Sequence, residues 1–400
     1  MLFIKSLTDL FFFAIMILIF ITIVFFLAYA GLIIFYRQSW LQIPFTTCIR
    51  NGINELTTIS VIISARNEEK NIRLCIDSII NQNYPQQLFE IIVIDDHSTD
   101  ATAKIIQSFN NKNVLLLTLK DFIHQKINSY KKKGIEIAVS KAKGELIVTT
   151  DADCIAPPDW LKTFASFYEK FKPVFIAAPV IYSSDISGDT IIAKFFKIFQ
   201  TLDFMTLQGI TGASVYKRFH SMCNGANLAY RKEVFFEVNG FSGIDNIASG
   251  DDMLLMHKMY RLYPDRIMFL KSVDAIIKTK PVDTINEFIN QRIRWASKAD
   301  KYSDKKITAV LFVVYLVNLL IFASGIISIF YHGILPWFMA LLFSKTLIEL
   351  FFLYPVAKFF DLQKLLWWFP VAQPFHILYT IIAGWLGKFG SYKWKGRQVK

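Results

Sequence analysis

The sequence predicts an α/β domain with a mixed, mostly parallel sheet, flanked by transmembrane α-helices at both ends. Three observations predict it. Short β-branched runs alternate with helical patterns through the middle of the chain. Long uncharged apolar stretches stand at either end. Over the whole 400 residues the hydrophobic fraction is 54% and the mean hydropathy +0.38, high for a soluble protein.

Residues 10–35 contain no charge, and a helix needs about 20 apolar residues to cross the hydrocarbon core. A cleaved signal peptide would carry a shorter apolar region, about 7–15 residues, so residues 1–36 are expected to be a retained anchor. Residues 57–285 form the central domain, with strands expected at 58–63, 90–94, 114–119 and 145–150. Between them, residues 68–80 place Ile72, Cys75, Ile76 and Ile79 on one helical face, and 99–109 repeat the pattern. Strands alternating with helices imply a parallel sheet covered on both faces. Ligands of such sheets bind beyond the carboxyl ends of the strands.

Residues 191–209, with Lys194, Phe195, Phe196, Ile198 and Phe199, read as an amphipathic helix that lies on a bilayer or belongs to the core. Residues 286–306 are expected to be an interfacial helix. Residues 307–388 hold three further candidate spans, at 307–330, 334–355 and 365–386. The polar turn Tyr331-His332-Gly333 separates the first two, and Tyr354-Pro355 with residues 358–364 separates the next pair. Trp367 and Trp368 suit headgroup depth. Lys345 and Glu349 are one helical turn apart and can pair inside a span. If every span crosses and the domain is cytoplasmic, the basic tail at 389–400 lies outside, against the positive-inside tendency. One C-terminal segment is therefore expected to be re-entrant or interfacial.

The net charge is +12. Beside apolar spans, the clusters Lys131-Lys132-Lys133 and Lys393, Lys395, Arg397 and Lys400 suit membrane lipid headgroups. No nucleic-acid signature is present, and no nucleic-acid partner is expected. Cys48, Cys75, Cys154 and Cys223 lack CxxC spacing, which excludes a disulfide framework or zinc ribbon.

Acidic and polar residues collect where the predicted strands end: Ser64-Ala65-Arg66-Asn67-Glu68, Asp95-Asp96-His97-Ser98 and Asp151-Ala152-Asp153. Two carboxylates at a strand exit, Asp151 and Asp153, can share a hard divalent cation that also binds a diphosphate. Asp96 can accept from a base or ribose edge; equally, Asp95 and Asp96 can stand before a helix capped by Ser98 or Thr99. Ser249-Gly250-Asp251-Asp252 opens an apolar-periodic helix, where Asp252 can cap that helix or remove a proton from a hydroxyl. Gln291-Arg292-Ile293-Arg294-Trp295 precedes a span. There, arginine can clamp a diphosphate and tryptophan can stack on a sugar, or both can simply anchor the interface.

In this order, Asn67-Glu68-Glu69, Asp95-Asp96, Asp-x-Asp, Asp-Asp-x-x-Leu and Gln-x-x-Arg-Trp resemble glycosyltransferase family 2. More narrowly, they resemble its membrane-integrated branch of cellulose, hyaluronan and poly-N-acetylglucosamine synthases. The resemblance implies a GT-A type nucleotide-sugar-binding domain that inverts the anomeric centre. It implies Glu68 and Asp96 as nucleoside contacts, and Asp151 with Asp153 for a divalent metal (Mg2+ or Mn2+) and the diphosphate. Asp252 would be the general base and Asp251 its paired acid. Gln291 and Arg294 would lie on the diphosphate, Trp295 at the acceptor, and Lys133 near the phosphates. Arg66 stands where the family usually has Tyr, and His97 where it usually has Gly.

The resemblance further implies a nucleotide-sugar donor, a UDP-sugar in the first instance, and a saccharide acceptor, with the domain on the cytoplasmic side of the cell inner membrane. A polyprenyl phosphate or other lipid-linked acceptor is the nearest alternative. A non-catalytic subunit of a polysaccharide export assembly is a more distant one.

Overall fold

The structure, a computed structural model, describes residues 2–47, 57–125, 127–183, 190–220, 222–247, 250–297, 304–390, 392–394 and 397–399. Cys48, Ser249 and the side chains of the basic tail lie outside this description.

Four parallel strands make one side of a seven-stranded sheet. β1 (Ile59–Ala65), β2 (Phe89–Asp95), β3 (Val114–Thr118) and β4 (Leu146–Asp151) lie in the order β3-β2-β1-β4. Alternation along β1 explains their burial. Val61 and Ile63 join the apolar cluster of α2 (Ile72–Ile80), whose Ile72, Cys75, Ile76 and Ile79 are all buried. Ile62 faces the other way, into the cluster that holds Ile135, Ala138 and Val139 of α4 (Tyr130–Lys141). Both faces are thus covered, as a parallel sheet requires. A short helix α3 (Thr102–Gln107) follows β2, and α5 (Trp160–Phe171) follows β4.

The rest of the sheet is mixed. β7 (Leu228–Arg231) pairs antiparallel with β4 and with β5 (Phe175–Ala177), and β8 (Ile267–Phe269) runs parallel to β5. A separate parallel pair joins β6 (Val180–Tyr182) to β9 (Ile277–Thr279). Strand order reverses between β1 and β4, the switch point where such sheets open a crevice. Register brings the strand-end acids there: Ala65 pairs with Asp95, and Ser64 with Asp151.

Among the described residues, four helices are long and apolar enough to cross a membrane. They are α1 (Leu2–Gln42), α10 (Lys305–Phe330), α11 (Leu335–Phe360) and α12 (Phe369–Phe389), and this is the composition of a membrane-associated chain. A single turn at His332–Ile334 joins α10 to α11. The break expected at Tyr354-Pro355 does not occur, since α11 continues to Phe360 with Pro355 inside it. Proline removes the donor to the carbonyl four residues back. Here that carbonyl, Phe351 O, accepts instead from Arg37 Nε of α1 at 3.1 Å, and the guanidinium lies 3.7 Å over the Phe351 ring. Inside the bundle Lys345 and Glu349 pair at 2.7 Å, as their spacing predicts, with side-chain exposures of 0% and 9%.

Beyond its apolar stretch α1 runs into the domain. Trp40 is buried against Phe269, and the Trp40 carbonyl accepts from Lys271 Nζ at 2.8 Å. α6 (Ile191–Tyr216) is longer than its amphipathic pattern implied. Its start exposes Ile191 and Ile192, as a surface helix on a bilayer would, while Ile198 onward is largely buried. Gly212 permits the close approach: a Cβ there would stand 2.8 Å from the Trp40 ring.

The seam between α1 and the domain contains a titratable group. His220 Nε2 lies 2.9 Å from both Tyr36 Oη and Ser214 Oγ, and burial pushes its pKa down from 6.5 to about 4. Between those values the unfolded chain binds a proton that the folded chain does not, so stability falls as pH drops from about 6.5 to 4. The loss is bounded at roughly 3 kcal/mol. Thermal unfolding of the detergent-solubilised chain should show that slope, and His220→Gln should flatten it; an unchanged slope would remove His220 as its source.

Candidate active site

The site is built from three strand ends and one helix start. β1 ends at Ala65, and the chain turns through Asn67, which takes a left-handed φ of 53°. This turn is pinned to the end of β2: Asn67 N donates to Ser98 Oγ (3.0 Å) and Thr99 N to Asn67 Oδ1 (2.8 Å). Glu68 N donates to Thr102 Oγ1 at 2.8 Å, leaving the Glu68 carboxylate to accept from Asn71 Nδ2 at 3.0 Å. Lys280, just past β9, reaches the same Asn71 at 3.1 Å.

Asp95 accepts from Ser98 N (3.2 Å), so the turn-forming role belongs to Asp95. Neither Ser98 nor Thr99 caps α3: the N-cap position is Ala101, and the first helical amide, Thr102 N, donates to Asp100 Oδ1 at 3.0 Å. Asp96 faces the crevice side chains instead. His97 Nδ1 stands 3.0 Å from its Oδ1, and Arg66 Nη1 stands 3.6 Å from Oδ1 and 2.9 Å from its carbonyl. The two departures from the family pattern, Arg66 and His97, therefore meet at one carboxylate. His97 adopts φ 57°, the left-handed conformation that glycine takes without steric cost.

Asp151 ends β4, and Asp153 follows in the next turn, where it accepts from the Cys154 thiol at 3.7 Å. Burial, reinforced by the charges of Asp153 and Asp151, keeps the thiols of Cys75 and Cys154 protonated. The three described cysteines are free.

Gly250, at φ 81°, turns the chain into α8 (Met253–Leu262). Asp252 is the N-cap, its Oδ1 accepting from Met253 N (2.7 Å) and its Oδ2 from Gly225 N (3.1 Å). Asp251, Asp252, Gly225, Thr149 and Tyr230 line one small cavity. Burial first, and then the Asp251 charge, raise the Tyr230 hydroxyl well above its usual range.

The sequence reading missed the group that joins these parts. Lys131 Nζ lies 3.0 Å from Asp151 Oδ1 and 3.2 Å from Asp251 Oδ2. Burial alone would lower its pKa, but the carboxylates of Asp151 and Asp251 outweigh that and hold the ammonium charged. Lys133, the lysine singled out from sequence, instead pairs with Glu136 at 2.7 Å on the exposed face of α4. Two residues are about 200° of helical rotation. Residue 131 precedes buried Ile135 by one turn, and that spacing was the available signal. Lys132 turns inward and donates to Ile244 O and Ile247 O, at 2.6 and 2.7 Å, in the segment before the Asp251-Asp252 pair.

α9 (Ile285–Ala296) carries Gln291, Arg292, Arg294 and Trp295, and opens with a capping box between Thr284 and Glu287. Arg292 is an interior residue bonded to Asp203 of α6. The half-buried Arg294 guanidinium has no ion pair among the described residues. Trp295 packs on the apolar cluster that includes Ala152, Cys154 and Ala226, the neighbours of Asp151, Asp153 and Gly225. The structure thus brings Asp151, Asp251 and Asp252 together directly. It sets Glu68 and Asp96 along the same rim, Asp153 in the turn after Asp151, and Lys133 away from all of them.

The sheet thus opens at its switch point, where α/β sheets bind their ligands, onto paired carboxylates bridged by the half-buried Lys131. Residues 60–238 match the family described as glycosyl transferase family 2. Among similar proteins, the probable glycosyltransferase YdaM of Bacillus subtilis (strain 168) is 26% identical over 275 residues, 66% of this chain and 60% of that protein. The poly-beta-1,6-N-acetyl-D-glucosamine synthase of Staphylococcus epidermidis is 24% identical over 257 residues, 62% of this chain and 56% of that one. The chain thus spans less than two thirds of either relative's length. The mannosyltransferase PcManGT from Pyrobaculum calidifontis, solved with GDP-Man and Mn2+, superposes with a TM-score of 0.49 at 16% identity, over 90% of this chain and 99% of its own.

Proposed function

We propose that this chain is an inverting glycosyltransferase that takes a sugar from a UDP-sugar and passes it to a saccharide acceptor at the cytoplasmic face of the cell inner membrane. The observation that carries this reading is Lys131, whose ammonium lies between Asp151 at the end of β4 and Asp251 at the start of α8. It ties the Asp-x-Asp turn to the Asp-Asp helix start, the first suited to hold a divalent cation against a diphosphate and the second to supply a base.

In this reading Glu68 and Asp96 face the nucleoside, and Arg66 and His97 fix the Asp96 carboxylate that receives it. Lys131 contributes positive charge on the diphosphate side, and Gln291 and Arg294 close over it from α9. Asp252 keeps a lone pair on each oxygen beyond its two backbone bonds, so it can accept the proton of an acceptor hydroxyl. The freed oxygen attacks the anomeric carbon from the face opposite the diphosphate. The carbon–phosphate oxygen bond breaks as the new glycosidic bond forms, inverting the centre. Asp251, tied to Lys131, keeps the adjacent charge balanced. Trp295 offers a wall for the acceptor sugar.

Asp151 and Asp153 fit a hard divalent cation, since Mg2+ or Mn2+ is commonly held by one or two carboxylates together with substrate phosphates. Such an ion would neutralise charge on the departing diphosphate.

A lipid-linked acceptor remains the second reading, supported by the placement of α9 directly before a span. The test is a panel of radiolabelled nucleotide sugars on membrane vesicles containing the full chain, with and without chelator. One donor should label a saccharide product, and chelation should suppress it at least tenfold. Label in a lipid extract would shift the acceptor to the second reading, and turnover unaffected by chelator would remove the metal.

A further inference from the structure

The interior of the chain holds a second polar centre, apart from the carboxylate pocket. Asp203 of α6 and Arg292 of α9 each expose 4% of their side chains. Arg292 Nε and Nη2 both donate to Asp203 Oδ2, at 2.9 and 2.5 Å, and Tyr379 of α12 donates to Oδ1. Both oxygens of the carboxylate are therefore taken by protein groups.

The guanidinium is equally committed. Its Cζ lies 4.3 Å from the ring centroids of both Phe288 and Trp295, so it packs against both rings. Its Nη1 donates to Gln291 Oε1 at 2.6 Å. Burial works against the charge, but Asp203 outweighs it and keeps Arg292 protonated. One planar cation thus sets the orientation of Gln291 and of Trp295. Lysine, a point charge, would set neither.

We propose that Asp203 is a positioning residue: through Arg292 it fixes the ring plane of Trp295 and the amide of Gln291, and through Tyr379 it ties that acceptor wall to membrane helix α12. Apolar replacements of a buried ion pair are often as stable as the pair itself, so stability alone does not account for Asp203. Direction does. A bidentate carboxylate specifies the rotation of the guanidinium, and the guanidinium specifies the ring. The tie to α12 is tight over its length, because α12 also packs against the end of α9; a Cβ on Gly387 would stand 2.6 Å from Ala296 Cβ. Farther along α12, Gln373 is bonded to Lys345 and Glu349 within the bundle. The acceptor wall is thereby tied to the membrane helices as well as to the apolar cluster of the sheet.

The inference rests on the transferase reading for the role of Trp295, and its test separates the two. The full chain is labelled with 5-fluorotryptophan in lipid nanodiscs, and the Trp295 resonance among the eight tryptophans is assigned with Trp295→Phe. Asp203→Asn, and the paired apolar variant Asp203→Leu with Arg292→Met, should shift or broaden the Trp295 signal while leaving that of buried Trp160 in place. In vesicles given the donor that the panel selects, both variants should lose about tenfold in transfer to the vesicles' own acceptors. The donor KM should rise, because Gln291 lies on the diphosphate side, while the hydrolysis of saturating donor by water should stay within twofold. An unmoved Trp295 signal, or an equal loss of hydrolysis and transfer in a variant that folds, would overturn the proposal. A wild type that turns over no donor would overturn the transferase reading alone, since the Trp295 signal still decides this one.

Discussion

Replacing Asp252 with Asn is expected to lower transfer by about 10^3-fold while leaving the fold and nucleotide binding in place. A positioned general base contributes roughly 10²–10⁴-fold, and the amide cannot accept the hydroxyl proton. The structural cost is small by comparison. Asn is as good an N-cap as Asp, so the bond from Met253 N at 2.7 Å survives. The bond from Gly225 N to the second oxygen is lost, at about 1–3 kcal/mol. Nucleoside diphosphate release and labelled product, measured together on vesicles, check this. If the variant turns over within threefold of wild type, Asp252 is not the base.

Lys345→Met is expected to give the largest loss of stability. Lys345 is fully buried among α1, α11 and α12, where its ammonium bonds Glu349 (2.7 Å) and Gln373 (2.9 Å), while Tyr29 donates to the same Glu349 carboxylate. Removing the cation leaves a carboxylate with only neutral donors in a low-dielectric interior, which costs about 3–5 kcal/mol. Adding Glu349→Gln should recover most of it, because the amide carbonyl still accepts from Tyr29 and no charge is stranded. Thermal unfolding in detergent, followed by size-exclusion fluorescence, should rank the wild type highest, the double variant next and Lys345→Met well below. Equal melting points for the single and double variants would show that the pair is not what Lys345 contributes.

Much of this architecture was legible because its causes are local. β-branched runs marked β1, β2 and β4, the last two ending in acids, and the spacing of Ile72, Cys75, Ile76 and Ile79 marked the covering helix. The uncharged stretches marked the spans, and one turn of spacing marked the Lys345–Glu349 pair. What escaped depends on partners distant in the chain. Arg292 and Arg294 are alike in sequence, yet Arg292 is the buried one, because Asp203 lies 89 positions earlier on another helix. Pro355 reads as a helix end, yet α11 passes through it, since Arg37 of α1 satisfies the carbonyl that the proline strands. Lys131 and Lys133 differ in helical phase, and it is Lys131 that shares a face with Ile135, buried one turn on. Arg66 and His97 were visible as departures from a pattern, but that both bind Asp96 emerges only when β1 and β2 lie side by side.

The claim beneath the whole account is that Asp151, Asp153, Lys131, Asp251 and Asp252 form one pocket for a nucleoside diphosphate. An electron cryomicroscopy structure of the full chain in nanodiscs with UDP and Mn2+ tests it most directly. The account predicts the diphosphate beside Asp151 and Asp153, within reach of the Lys131 ammonium, and the nucleoside against Glu68 and Asp96. Nucleotide density elsewhere on the domain, with Lys131 still bridging Asp151 and Asp251, would contradict it.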